Sequence, residues 1–319
     1  MATNTQPDAS RATTAWPALP LDEWRATQET LHRWTQIVGK LKLALTPFLN
    51  EWWNVALHLT GRGLTTGPMS YGDRSIEVSF DFVDHNLVIA TSDGAVTTQS
   101  LAPRAVADFY NEFFAALRAL GIEVAINPMP VEIADPVSFA RDREHATYDA
   151  DAAHRWWRVL LQTETVLQRY RAPFAAKSSP VLFYWGSFDL SATRFSGKPA
   201  PPLPAGTPRF FQLAEDQENI AVGFWPGNTS AAGVTLGEPA FYGYIFPEPD
   251  GFKAATVRPE AAFYHPRLGQ FILPYEAARQ TADPSSTILA FYQSVYEVAV
   301  TRAGWDRGAL EHGYPEGAR

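Results

Sequence analysis

A carboxylate and a guanidinium stand five residues apart in an otherwise apolar stretch: Asp189 and Arg194, within residues 179–195. An acid kept in such a place can act as a base or anchor a ligand, and a guanidinium can clamp a carboxylate or phosphate. The structural alternative is an ion pair closing a strand end. On a regular strand this spacing puts the two on opposite faces. A direct bond therefore needs a bulge, which Gly186 could supply. Glu218 is a second carboxylate, seven residues before Trp225. Two carboxylates across a cleft suit acid–base or glycoside chemistry. A surface glutamate on an edge strand is the plainer reading. The catalytic candidates are Asp189, Glu218 and Arg194.

Binding candidates surround them. Trp225-Pro226-Gly227-Asn228 sets an indole on a rigid turn, where it could stack on a flat ligand with Asn228 beside it. Tyr184 and Trp185 precede Asp189 and fit either core or pocket wall. His58 and Arg62 join the set through an internal repeat described below, although a satisfied core histidine is the stronger reading of His58. The seven histidines show no His-x-x-x-His or His-x-His spacing, and there is no cysteine. No metal set and no cofactor are expected. Ser187 lacks the Gly-x-Ser-x-Gly elbow. Gly61-Arg62-Gly63 lacks the third glycine and the following helix of a dinucleotide fingerprint.

The elements that must position these residues follow from periodicity. Trp24, Leu31, Trp34 and Val38 recur at helical steps over residues 21–40. Residues 55–66 read as a Gly-interrupted strand. Ile76, Val78, Phe80 and Phe82 alternate with polar residues, the period of a half-buried strand. Residues 87–90 and 96–101 read as strands around an Asp93-Gly94 turn. Helices are expected over residues 103–120, from Asp149 or Asp151 to Tyr170, and from Pro284 or Ser285 onward. Short strands are expected at residues 122–126, 219–225, 239–246, 261–264 and 268–273. The Pro-rich segment 197–208 must be extended. Residues 305–319 read as a polar tail.

The order helix, Gly-interrupted strand, further strands, helix occurs twice. Val55-Ala-Leu-His-Leu lies over Val181-Leu-Phe-Tyr-Trp, an offset of 181 − 55 = 126. The expected fold class is α+β: two similar halves from an internal duplication, each a mainly antiparallel sheet with helices on one face. The halves would span residues 17–145 and 146–310, between a disordered tail at 1–16 and a polar tail at 311–319. A ligand cleft between the halves would bring His58 and Arg62 near residues 179–195.

Composition bounds the rest. In 319 residues, 46% hydrophobic with 10 Trp, a large core forms without disulfides. The absence of cysteine fits a reducing cytoplasm. A net charge of −8 without a Lys/Arg run argues against nucleic acid. No apolar stretch approaches membrane-spanning length. The expected partner is a small-molecule ligand, and a homodimer is left open, because the Pro-rich arm could reach another chain.

Several stretches carry a resemblance. Residues 185–190 (Trp-Gly-Ser-Phe-Asp-Leu), Thr193-Arg-Phe-Ser-Gly197, Gly223-Phe-Trp-Pro-Gly227, residues 34–40 and Ala262-Phe-Tyr264 resemble the bacterial family catalogued as domain of unknown function 5996. The resemblance covers about residues 16–310. It implies a single-module protein with no assigned activity. Relatives often carry histidines where Leu182 and Gln217 stand here, so any metal or proton chemistry of those histidines is lost in this chain. The reading is an enzyme acting on a small polar or aromatic metabolite. Its alternative is a non-catalytic small-molecule binding or assembly module.

Overall fold

The structure is a computed structural model that describes residues 15–230 and 233–311. Residues 1–14 and 312–319, most of the two expected tails, lie outside the described residues. Trp16 is buried, edge-on to Phe241 with ring centroids 6.1 Å apart.

Helix α1 (Leu21–Leu45) carries the tryptophan face that its spacing predicts. Trp24 and Trp34 are buried, and Trp34 stacks on Phe109. The opposite face is buried as well, with Gln28, Gln36 and Lys40 among its polar residues. Burial on both faces makes α1 an interior element, where a polar side chain needs a partner or a ligand.

The first sheet contains β1 (His58–Leu59), β2 (Gly63–Thr65), β3 (Met69–Tyr71), β4 (Arg74–Asp81), β5 (Asn86–Thr91) and β6 (Val96–Ser100). Its order is β1-β2-β4-β5-β6, with β3 also on β4. Helices α2 (Val106–Ala119) and α3 (Ala150–Arg171) follow. The Asp149 carboxylate caps α3 by accepting from the Ala152 amide at 3.0 Å.

The second sheet contains β7 (Leu182–Tyr184), β8 (Asp189–Pro199), β9 (Gln217–Trp225), β12 (Ala240–Phe246), β13 (Phe263–His265) and β14 (Gln270–Pro274). Its order is β13-β14-β12-β9-β8-β7. A small hairpin, β10 (Asn228–Thr229) and β11 (Thr235–Leu236), stands apart. Short helices α4 (Arg209–Ala214) and α5 (Tyr275–Arg279) precede α6 (Pro284–Ala303) and α7 (Arg307–Leu310). All strand pairs are antiparallel. The architecture is α+β with antiparallel sheets and helices. One continuous apolar core runs from Trp16 to Leu310.

Both Gly-interrupted stretches are hairpins, not single strands. Residues 55–66 turn between β1 and β2, and residues 179–195 turn at Trp185–Phe188 between β7 and β8. The first strands of the two hairpins bridge the sheets. Leu57 N donates to Phe183 O at 2.9 Å, and Phe183 N donates to Leu57 O at 3.0 Å. Residues 122–126 form no strand. The expected polar tail starts inside the core, since Trp305 and Leu310 are buried.

Alternation along β8 sorts its residues by face. Leu190 and Ala192 join the helix-covered core, whereas Asp189, Ser191 and Thr193 line a cavity on the other face. On β12, Phe241 points into the core while Tyr242 and Tyr244 join the cavity.

Candidate functional site

The cavity has two lobes, of about 360 Å³ and about 780 Å³. Both volumes suit a small molecule. The lobes share Glu132, Ser187, Asp189, Phe211, Tyr242 and Tyr244. The cavity-facing side of the second sheet forms one wall. Gln28, His32 and Lys40, from a polar stripe that with Gln36 runs at steps of four along α1, stand on the other. Gln28 and His32 line the larger lobe and Lys40 the smaller one.

Asp189 is buried at the hairpin turn and accepts from both sides. The Ser187 hydroxyl donates to one of its oxygens and the Tyr242 hydroxyl to the other. Burial pushes the Asp189 carboxyl above its ordinary range, against the pull of those two donors. Tyr242 reaches Asp189 across β9. Register places Ser191, Gly223 and Tyr242 side by side, and a Cβ on Gly223 would come within 2.6 Å of the phenol oxygen. Glycine at 223 is what lets the ring lie there.

Glu132 arrives from the Pro-rich connection after α2. Gln36 holds that segment in place. Its Nε2 donates to Val131 O at 2.7 Å and its Oε1 accepts from Val131 N at 2.9 Å. The His32 ring donates to Gly186 O at 2.9 Å, which fixes its Nε2–H tautomer. Gly186 lies against the Glu132 carboxyl, where a Cβ would collide with it. Burial, and then the neighbouring Asp189 charge, raise Glu132 to about 7. Glu215, after α4, is raised by burial and accepts from Asn219 Nδ2 at 2.6 Å.

The smaller lobe is closed by aromatic side chains from two loops. Trp52 and Trp53 come from the short turn at Asn50–Trp52 and its end, and Phe210 and Phe211 come from α4. Trp52 Nε1 donates to Phe210 O at 2.9 Å, which ties the two loops together. Ala200 N donates to Asp216 O at 3.0 Å, so residues 200–216 form a loop with adjacent ends that brings α4 back over the cavity.

Five of the site residues expected from sequence line the cavity, and Asp189 lies in both lobes. Asp189, Tyr184 and Trp185 line the smaller lobe, and Trp225 and Asn228 line the larger one. Trp185 is anchored by its indole, which donates to Val55 O at 2.8 Å. Asn228 Nδ2 donates to Gln28 Oε1 at 2.9 Å.

Arg194 is a correction. It lies on the other face of β8 and makes no ion pair with Asp189. Its guanidinium sits among aromatic rings, 3.7 Å from the Tyr170 centroid and 4.3 Å from that of Tyr296. It donates to the Tyr170 carbonyl in the last turn of α3. That is a helix-terminus role.

Glu218 is a second correction, for it also faces away and accepts from Ser196 Oγ at 2.8 Å. Its neighbour Asn219 faces the cavity instead. His58 and Arg62 lie outside both lobes. His58 is half-buried on β1, and burial lowers its pKa. Arg62 is exposed and paired with Asp81 at 2.7 Å and Asp84 at 2.5 Å.

Leu182 and Gln217 lie far apart. Leu182 aligns with Ser191 and Gly223, and Gln217 lies six residues along β9 from Gly223, roughly 20 Å away. Side chains at those positions would not meet on one ion. Among the described residues, no group of three His, Asp or Glu is arranged to hold a metal ion, and no helix is long and apolar enough to cross a membrane.

Cavity residues that escaped the sequence reading include Glu132, Glu215, Tyr242 and Lys40. Two signals could have shown some of them. One is the polar i, i+4 stripe on an otherwise apolar α1. The other is the Tyr-Gly-Tyr alternation on β12.

No curated protein and no solved structure matches this chain. Residues 16–312 match one family model along nearly the whole chain, so the chain belongs to the family described as family of unknown function (DUF5996).

Proposed function

We propose that the two-lobed cavity binds a small metabolite and moves a proton on it, with Asp189 and Glu132 as the acid–base pair. One observation carries this reading. Two carboxyl groups from separate chain segments, Asp189 and Glu132, line both lobes, and burial pushes Glu132 up to about 7. A group that exchanges its proton near working pH is suited to general acid–base catalysis. Trp185 and Tyr184 would wall the smaller lobe, and Trp225 and Asn228 would contact the part of the ligand in the larger one.

A thermal-shift screen of wild-type protein against a metabolite library, followed by mass spectrometry of each hit, tests the reading. Hits should be lost in Asp189→Asn, whose own melting temperature should stay close to wild type. A ligand that stabilises the protein but is returned unchanged favours a second reading, non-catalytic binding. That reading has its own support, because both Asp189 oxygens already accept hydrogen bonds from Ser187 and Tyr242.

The scaffold is proposed to come from an internal duplication. Each half runs helix, antiparallel sheet, helix. The bridge between the sheets joins Leu57 and Phe183, and 183 − 57 = 126, the offset that aligns Val55 with Val181. Equivalent residues paired antiparallel are what a local two-fold axis would produce.

A further inference from the structure

We propose that the smaller lobe takes a protonated organic amine carried on an apolar or aromatic body. This rests on the small-molecule reading above and names its ligand class. The lobe carries four carboxyl groups, Glu51, Glu132, Asp189 and Glu215, against one lining ammonium, Lys40. Among the described residues, three of the four have no cationic partner. Asp189 is held by hydroxyls, Glu215 by an amide, and Glu132 by neither.

Glu51 does pair with Lys177, at 2.5 Å, yet its Oε2 is buried without a hydrogen-bond partner. That half of the carboxylate is left without a compensating donor behind the cavity wall, which adds to the negative character of the lobe. The other walls suit the same guest. Trp53, Tyr184, Phe211 and Tyr244 present aromatic rings, and ring faces attract cations. An anion would find Lys40 as its one lining cation and be repelled by each carboxylate that is ionised.

Binding would also have a proton signature. Glu132 shares the cavity with His32 and Lys40 from α1, Asp189 from β8, Tyr242 and Tyr244 from β12, and Glu215 after α4. An incoming ammonium favours the ionised carboxylate, so Glu132 releases its proton to the buffer as the amine binds.

Titration calorimetry on the full chain at pH 7 tests this with three probes of one shape: 2-phenylethylamine, 2-phenylethanol and 3-phenylpropionate. Two buffers of different ionisation enthalpy are used. The amine should bind at least about tenfold more tightly than the alcohol. The anion should not bind. The amine's enthalpy should change with the buffer. Glu132→Gln, checked for folding by its melting curve, should lose that buffer dependence and bind the amine more weakly.

Equal or tighter binding of the alcohol or the acid overturns the amine class and leaves the pocket itself standing. Amine binding without proton release in wild type, or unchanged in Glu132→Gln, places it outside this lobe and overturns the assignment. If none of the three probes binds at millimolar concentration, the amine proposal fails. The pocket reading then depends on the library screen, where a neutral hit lost in Asp189→Asn would retain it.

Discussion

The phenol of Tyr242 on β12 donates to the carboxyl of Asp189 on β8, passing over Gly223 on the strand between them. Three strands thus converge on one acid through a side chain that is missing. Gly223→Ala would push its Cβ against the Leu190 carbonyl and the Tyr242 hydroxyl. The expected cost is about 1–3 kcal/mol in urea unfolding, as for other overpacked sites. Tyr242→Phe should unfold nearly as wild type, yet lower the affinity of any ligand that depends on an ionised Asp189. Unchanged stability in Gly223→Ala would show that the ring does not need this space.

Glu132 makes stability depend on pH. It holds its proton to about 7 in the fold, against an ordinary value of 4.5. The folded chain therefore binds more protons between those values, and this contribution to stability is complete below about pH 4.5. It is lost as pH rises through about 7. His32 acts with the opposite sign. Burial lowers it from 6.5 to about 4, so its contribution is present above pH 6.5 and lost as pH falls through about 4. The two overlap, and wild type alone would blur them. The difference in melting temperature between wild type and Glu132→Gln isolates the carboxyl. Wild type should gain on the variant as pH falls from 7.5 to 5.5, and a flat difference would reject the buried carboxyl.

Gln36 should matter for binding more than its distance from the acids suggests. Its amide holds both backbone groups of Val131, the residue before Glu132. Gln36→Leu frees that segment and strands its polar groups, at about 1–3 kcal/mol. Ligand affinity should fall, and amide exchange around Val131 should accelerate. Protection at Val131 equal to wild type would show that the segment holds itself.

Arg194 should affect the fold and not the site. Arg194→Met keeps much of the apolar stem but drops the donor to the Tyr170 carbonyl and the stacking on Tyr170 and Tyr296. A loss of about 1–3 kcal/mol is expected. Ligand binding by the folded variant should match wild type. Selective loss of binding at full stability would restore the guanidinium to the site.

The elements with clear periodicity were legible in the sequence. The faces of α1 and α3 and the alternation on β4 follow from it, and the Asp149 cap stands one residue before α3. Asp189 was legible because an acid inside an apolar run needs a reason. Arg194 has the same signal and a different reason, since burial among rings at a helix end looks the same in one dimension as burial in a pocket. Glu218 and Asn219 show that one step along a strand exchanges cavity for opposite face. Glu132 could not be read at all. Its segment has no period, and its place is set by Gln36, whose side chain holds Val131 from 95 positions away in sequence.

The loop from residue 200 to 216 starts and ends at one point, where Ala200 meets Asp216. Its tip supplies Phe210 and Phe211 to the cavity, while the strands on either side stay paired through Pro199 and Gln217. Ligand preference and fold are thereby written in separable parts of the chain. A change of length or sequence at the tip can alter what the cavity accepts and leave the sheet register as it is. Exchange of this loop is accordingly the shortest route by which the same scaffold could acquire a different ligand.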